Sequence, residues 1–137
     1  MASILKVDTL TGVTTAGSIS VTGEGNSTTT NLQQGLAKAY CSYQMNSSNA
    51  IKGSNNVSSQ TDNGTADSTI AWTNSVQNGY AVGGMSSENL FVCAQQPRGN
   101  AYNSVLTTSS GRFLTLSDGG SPLDSNVNVI TVHGDLA

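Results

Sequence analysis

The segment that most constrains the fold is 56–72, which has the pattern of a β-hairpin. Asn63-Gly64 is its strongest short turn motif, because a two-residue type I′ turn needs positive φ at both central positions and Asn and Gly tolerate this at least cost. On the second arm Ile70 and Trp72 share one face, and shorter side chains occupy the other. We therefore predict a hairpin that turns at Asn63-Gly64 and buries Ile70 and Trp72.

Composition extends the β prediction to the whole chain. Ser, Thr, Asn and Gly together make up 65 of the 137 residues, about half, and charged residues are 9%. Ser, Thr and Asn compete for backbone hydrogen bonds, and Gly loses the most conformational entropy in a helix, so the composition favours strands and turns. An apolar fraction of 36% with a net charge of −3 differs from the composition of disordered chains. We expect an all-β fold with little helix.

Short segments with strand patterns are separated by turns along the rest of the chain. A first strand is predicted at 35–43, followed by a polar stretch before the hairpin. After the hairpin, strands are predicted at 79–85, 89–94, 101–107, 112–116 and 126–133. In the last of these the apolar phase changes between Val129 and Ile130, which predicts a bulge or a strand buried on both faces. Seven or eight such strands predict an antiparallel β-sandwich over residues 35–137.

The expected core of this head domain is drawn from the predicted strands. Its members are Leu36, Tyr40, Val57, Ile70, Trp72, Val82, Phe91, Leu114 and Val129.

Residues 1–34 are interpreted as a separate N-terminal arm and linker. Strands are predicted at 4–7 and 18–22, turns at 11–12 and 16–17, and a polar connector at 23–34. The arm has too few apolar residues to close a core, and an isolated hairpin is marginal in water. We expect its apolar side chains to serve attachment or oligomerisation, the alternative being an edge hairpin that folds back on the same chain. These side chains are Ile4, Leu5, Val7, Leu10, Ile19 and Val21.

The sequence does not predict an enzyme, a cofactor or a metal site. His133 is the single histidine, and the eight acidic residues are dispersed, so neither a Ser/His/Asp set nor a paired-carboxylate site can be assembled. Asp62-Asn63-Gly64 and Asp118-Gly119-Gly120 lack the alternating oxygen ligands of a calcium loop and are better explained as turns.

Charge and hydropathy also exclude several partners. Five Lys and Arg residues scattered along the chain cannot form the basic stripe that phosphate contacts require, so no nucleic-acid partner is expected. No run approaches the roughly 20 apolar residues of a membrane span, and no signal peptide follows Met1, so we expect a protein made in a cytoplasm and not inserted in a membrane. Cys41 and Cys93 are expected to be buried thiols.

Three stretches in this order resemble a known module: Gly35-Leu-Ala-Lys-Ala-Tyr40, Asn56-Val-Ser-Ser59 and Thr61-Asp-Asn-Gly-Thr65. They look like a β module near the ends of tail-fibre and other virion surface proteins of bacteriophages, particularly marine ones. Such modules usually carry Trp where this chain has Tyr40, and a Val-Asn-Phe type continuation where it has Cys41-Ser-Tyr43. The opening Ser3-Ile-Leu-Lys-Val-Asp-Thr9 is similar to the start of many marine phage fibre proteins, in which an N-terminal segment fixes the protein to the particle.

The resemblance implies a virion structural protein made in the host cytoplasm: a short fibre, knob or capsid decoration mounted by its arm. It implies a homotrimer that contacts capsid, tail or baseplate proteins, and the sequence does not choose among these sites. A second hypothesis is a glycan-binding module that contacts the host surface, with Tyr43, Tyr80 and Tyr102 as candidate sugar contacts and Tyr40 and Trp72 also considered. Aromatic residues are only 5% and are needed for the core, which weakens that hypothesis. A small hydrolase ranks third.

Overall fold

Two four-stranded antiparallel sheets pack together in the computed structural model of the chain, so the predicted all-β sandwich is confirmed. The structure describes residues 6–12, 19–22, 29–46, 48–87, 91–94, 106–117 and 119–134. In chain order the elements are β1 (Ser20–Thr22), β2 (Thr29–Asn31), the single helical turn α1 (Leu32–Gly35), β3 (Ala37–Gln44), β4 (Ala50–Asn55), β5 (Val57–Gly64), β6 (Asp67–Trp72), β7 (Ala81–Ser86), β8 (Phe91–Ala94), β9 (Ser110–Leu116) and β10 (Asn128–His133).

The strands fall into three sheets. Sheet I has the order β4-β3-β10-β7, sheet II has the order β5-β6-β9-β8, and β1 and β2 form a separate two-stranded sheet. All neighbouring strands are antiparallel. The N-terminal strands therefore extend neither sheet of the sandwich. The proposed boundary between an arm at 1–34 and a head at 35–137 stays a prediction.

The first crossing from sheet I to sheet II takes one residue, Asn56, which separates β4 from β5 and has φ of 56°. The Asn56 side chain holds this corner. Its Nδ2 donates to the Asn74 carbonyl at 3.0 Å, and its Oδ1 accepts from the Asn74 N–H at 2.7 Å. Asn adopts positive φ more readily than most residues. Its side chain also supplies hydrogen-bond partners for the backbone N–H and carbonyl of Asn74 at this corner.

The core lies between sheets I and II. Tyr43, Phe113, Ile70 and Ile130 are its largest fully buried apolar side chains, and burying each contributes about 1.5–3 kcal/mol. Phe113 fits because Gly111 precedes it by two residues: a Cβ on Gly111 would lie 2.6 Å from Phe113 Cζ. The remaining members of the apolar cluster are Ala39, Cys41, Met45, Trp72, Val76, Tyr80, Leu106 and Val132.

The predicted hairpin is confirmed as β5 and β6, but its turn lies two residues later than expected. Gly64 pairs with Asp67, so the loop residues are Thr65 and Ala66, and positive φ occurs at Gly64 (129°) and Ala66 (66°). The prediction of a type I′ turn centred on Asn63-Gly64 was therefore wrong.

Long-range contacts fix the observed turn. The Ala66 N–H donates to the Asp124 carboxylate, and the Ala66 carbonyl accepts from the Thr115 N–H at 2.9 Å. Asn63 lies on β5, where the register shifts between Asp62 and Gly64. These partners are about 50 to 60 residues away in sequence, so a local turn motif could not reveal them.

The predicted core was right for the hairpin residues and for Val82 on β7, and wrong for Leu36, Tyr40, Leu114 and Val129. Ile70 and Trp72 are buried as expected, and Val57 and Val82 are partly buried against the core. Leu36 is 54% exposed and Tyr40 is 43% exposed, because Leu36 precedes β3 and Tyr40 points to its outer face. The Phe91 side chain lies outside the described residues.

On β9 and β10 the predicted phase was off by one residue. Leu114 and Val129 are half-buried on outer faces, whereas Phe113 and Ile130 are fully buried. No bulge lies at the predicted phase change between Val129 and Ile130, because pairing with β3 is continuous from Asn128 to Val132. The register shift lies between Val132 and His133, where Lys38 of β3 is the extra residue.

Several element boundaries also differ from the prediction. The polar stretch before the hairpin contains β4, and the predicted connector at 23–34 contains β2 and the start of α1. The strand expected at 18–22 is present as β1 at Ser20–Thr22, whereas Lys6 and Val7 belong to no strand. From the strand expected at 101–107, residues 101–105 lie outside the described residues, and Leu106 forms an isolated bridge with Gly111.

Candidate functional site: the outer face of sheet I

The outer face of sheet I carries the most prominent exposed aromatic group. Two-residue alternation along β3 buries Ala39, Cys41 and Tyr43 and turns Tyr40 outward. Among the aromatic side chains that the structure describes, Tyr40 is the exposed one, at 43%. Its strand partners are Asn55 on β4 and Thr131 on β10.

Tyr40 belongs to a row that crosses all four strands of the sheet. The row runs from Asn55 through Tyr40 and Thr131 to Gly83 on β7. Directly opposed residues in a sheet have Cβ atoms about 5 Å apart. The row therefore presents the amide of Asn55, the ring of Tyr40 and the hydroxyl of Thr131 in turn. It ends at Gly83, which has no side chain.

A groove of about 250 Å³ lies beside this row and is lined by Gly83, Gly84, Met85, Val129 and Thr131. Gly83 keeps the groove open, because a Cβ there would lie 3.4 Å from Thr131 Oγ1. Met85 is 69% exposed, so the groove presents apolar surface to solvent.

The two sheets differ in charge. The strands of sheet I contain Lys38, Lys52 and His133 and no acidic residue, while those of sheet II contain Asp62, Asp67 and Arg112. Sheet I is therefore basic in a chain whose net charge is −3. Lys38 has the same strand phase as Tyr40 and so shares its face.

A second depression, the His133 cleft, lies at the end of β10. It is an open cleft of about 430 Å³, in which Gly134 approaches Tyr80 so closely that a Cβ would lie 2.9 Å from Tyr80 Cβ. The Tyr80 hydroxyl donates to the Thr107 carbonyl at 3.0 Å. The cleft is lined by Gln77, Asn78, Gly79, Tyr80, Ala81, His133 and Gly134.

Neither of the two predicted sugar contacts that the structure describes exposes its ring at these surfaces. Tyr43 is fully buried and Tyr80 is 4% exposed, so neither ring is free to stack on a sugar, and those two predictions were wrong. Burial also raises the pKa of the Tyr43 phenol, with a further contribution from nearby Cys41. Tyr102 lies outside the described residues. The sequence did contain a sign favouring Tyr40, since Lys38 in the same strand phase marks the solvent side of β3.

The predicted attachment residues are mostly exposed. Val7 and Leu10 are each 57% exposed, Val21 is 51% exposed and Ile19 is half-buried. The Ile19 carbonyl accepts from the Leu32 N–H at 2.8 Å, which ties β1 to the start of α1. Ile4 and Leu5 lie outside the described residues.

The described part of the chain has no group of three or more His, Cys, Asp or Glu side chains that could hold a metal ion. Arg112 and Asp67 form an ion pair in this part of the chain, with Arg112 Nε donating to Asp67 Oδ1 at 2.9 Å. This hydrogen bonding raises the pKa of Arg112. No helix among the described residues is long and apolar enough to cross a membrane.

Cys41 is a free, buried thiol on β3. Burial raises its pKa to about 11, so the thiol stays protonated and unreactive at neutral pH. The side chain of Cys93, on β8, lies outside the described residues.

No family model, curated protein or solved structure matches this chain.

Proposed function

We propose that this chain is a structural protein of a bacteriophage particle, with a β-sandwich head mounted through residues 1–34. The observation that carries the proposal is the exposure of Val7, Leu10 and Val21, three apolar side chains close together in the N-terminal sequence. Exposed apolar groups of this kind gain stability when another surface covers them.

The secondary structure of the arm supports the same proposal. Strands β1 and β2 have three residues each and pair with one another in a sheet of their own. A two-stranded hairpin is marginal by itself in water, and its unpaired edges offer hydrogen bonds to a further strand. Copies of the same chain, or capsid, tail or baseplate proteins, would supply both burial and strand pairing. Resemblance to phage fibres favours a homotrimer.

The head fits the role of a short fibre, knob or capsid decoration. The motifs that carry the resemblance lie on neighbouring elements of the two sheets: the stretch ending at Tyr40 enters β3, and the stretch 61–65 covers the tip of the β5–β6 hairpin. The corner at Asn56 joins these two parts of the sandwich.

Particle composition tests this proposal directly. We expect mass spectrometry of purified phage particles to detect the chain as a stoichiometric component, and antibody-labelled electron microscopy to place it on the capsid, tail or baseplate. Finding the protein in infected cells but not on purified particles would refute a structural role in the virion.

A second candidate function is glycan binding by the outer face of sheet I. Tyr40 supports it, because an exposed ring between the amide of Asn55 and the hydroxyl of Thr131 can stack on a sugar while the polar groups bond its hydroxyls. In this proposal the candidate sugar contact is Tyr40 instead of Tyr43 and Tyr80.

Glycan-array binding of the full chain tests the second candidate. We expect Tyr40→Ala to weaken binding about 5- to 150-fold, since one stacked aromatic ring is often worth about 1–3 kcal/mol in the comparable case of stacked bases. Thr69→Ala, a change on the outer face of sheet II, is the matched control and should bind as the parent chain does. Equal binding by all three proteins would exclude the Tyr40 face.

A further inference from the structure

The chain contains two Asn-Gly pairs, Asn63-Gly64 and Asn78-Gly79, and both asparagines are exposed. An Asn-Gly pair can deamidate without an enzyme. The backbone nitrogen of the glycine attacks the side-chain Cγ of the asparagine, and glycine permits this because it has no Cβ to hinder the approach. The two pairs have the same chemistry, so any difference between them comes from the fold.

Hydrogen bonds restrain both reacting groups of the Asn63-Gly64 pair, the side-chain amide and the backbone N–H. Asn63 Nδ2 donates to Thr69 Oγ1 at 2.9 Å and to Asp67 Oδ1 at 3.2 Å. The attacking group, the Gly64 N–H, donates to Asp62 Oδ1 at 2.8 Å. Two of these bonds go to carboxylates, and hydrogen bonds to charged groups are the stronger kind. The hydrogen bonds of the Asn63 amide and of the Gly64 N–H must therefore break before the succinimide ring can close.

The Asn78-Gly79 pair has neither restraint. It forms a turn between the buried residues Val76 and Tyr80, and Gly79 has φ of 84°. Among the residues that the structure describes, no hydrogen bond joins the Asn78 amide or the Gly79 N–H to a partner. Asn78 also lines the His133 cleft, which is open to solvent.

We propose that Asn78 is a site of spontaneous deamidation in the folded protein and that the β5–β6 hairpin protects Asn63 from the same reaction. The Gly79 nitrogen forms a bond to Asn78 Cγ, the bond from Cγ to Nδ2 breaks, and ammonia leaves with the proton from the Gly79 N–H. Water then opens the resulting succinimide. Attack at the former side-chain carbonyl gives aspartate, and attack at the backbone carbonyl gives isoaspartate.

The modification changes a defined surface. It adds one negative charge to a chain whose net charge is −3 and places a carboxylate in the cleft that also contains His133. The isoaspartate product lengthens the backbone by one methylene next to Tyr80, which packs edge-on against Trp72 with ring centroids 6.4 Å apart. The same reaction at Asn63 would instead turn a hydrogen-bond donor to Asp67 into a second carboxylate facing it.

Peptide mapping by mass spectrometry tests the proposal on the full folded chain. The protein is incubated at mildly alkaline pH in ¹⁸O-labelled water, so that acid formed during incubation carries the label. We expect Asn78 to convert at least about tenfold faster than Asn63, the ratio that corresponds to one hydrogen bond to a charged group. In denaturant the two sites should convert at similar rates.

Two variants sharpen the experiment. Asn78→Gln should remove most of the label from the folded chain, and Asp62→Ala should accelerate conversion at Asn63 while leaving Asn78 unchanged. Equal rates at Asn63 and Asn78 in the folded parent chain would overturn the proposal, as would an Asn63 that converts no faster in the folded Asp62→Ala variant than in the folded parent chain. The outcome is independent of whether the protein is found on virions.

Discussion

The N-terminal segment and the sandwich place their apolar side chains in opposite ways. In the sandwich, Tyr43, Phe113 and Ile130 are fully buried between two sheets of the same chain. In the N-terminal segment, Val7 and Leu10 are each more than half exposed. The sandwich thus buries its apolar side chains in its own contacts, whereas Val7 and Leu10 in the segment lie exposed to solvent. Folding and attachment should therefore respond to different substitutions.

The largest loss of stability is expected for Phe113→Ala. The side chain is fully buried against Gly111 at the centre of the core, and removing a buried Phe costs about 3–5 kcal/mol. Denaturant unfolding followed by the fluorescence of Trp72 measures this loss. The neighbouring change Leu114→Ala, on the outer face of the same strand, should cost about 1 kcal/mol or less. Similar losses of stability in the two variants would mean that the assignment of Phe113 to the inner face of β9 and Leu114 to its outer face is wrong.

Gly64→Val should have a smaller effect on the sandwich. A β-branched residue is strained at the Gly64 φ of 129°, although no atom lies within 4 Å of the added Cβ, so the cost is about 1–3 kcal/mol of backbone strain. Gly53→Val is the matched control, because Gly53 also has open space around its Cβ position and no positive φ. Thermal unfolding compares the two. A control that loses as much stability as Gly64→Val would show that backbone strain is not the cause.

The smallest effect on stability, and the largest on assembly, is expected for the triple change Val7→Ser, Leu10→Ser and Val21→Ser. Exposed sites usually change stability by no more than about 0.5 kcal/mol, but the proposed oligomer should dissociate. Sedimentation equilibrium of the full chain measures the assembly state.

The control for this experiment changes exposed apolar residues of the sandwich, with Met85→Ser and Leu123→Ser in one chain. It should keep the assembly state of the parent. A monomeric parent chain, or a triple variant that assembles as the parent does, would break the contrast between the two regions.

The sequence predicted those features that local patterns determine. Ile70 and Trp72 alternate with shorter side chains, so their buried face could be assigned correctly. On β9 and β10, apolar residues occupy both phases, and alternation alone could not separate Phe113 from Leu114. The structure shows why Phe113 and not Leu114 is the buried residue: Gly111 has no side chain, which makes room for the Phe113 ring.

The turn could not be fixed locally, whereas the candidate surface had a local sign in the sequence. The turn at Thr65 and Ala66 depends on Asp124 and Thr115, which reach it through the fold. Tyr40 was assigned to the core from two-residue patterning in the predicted strand at 35–43. Its exposure follows from the phase of β3, which buries Ala39, Cys41 and Tyr43, and Lys38 was the local sign of that phase.

The position of β10 has a consequence for the order in which the protein folds. In chain order β10 is the last strand of the sandwich, yet it lies between β3 and β7 in sheet I. The β5–β6 hairpin, which forms from neighbouring residues, would therefore leave the ribosome well before β10 could pair with β3 and β7 in sheet I. Pairings this distant in sequence form slowly. Until Asn128–His133 emerges, the nascent chain should expose the facing edges of β3 and β7, and unpaired strand edges favour association between incomplete chains.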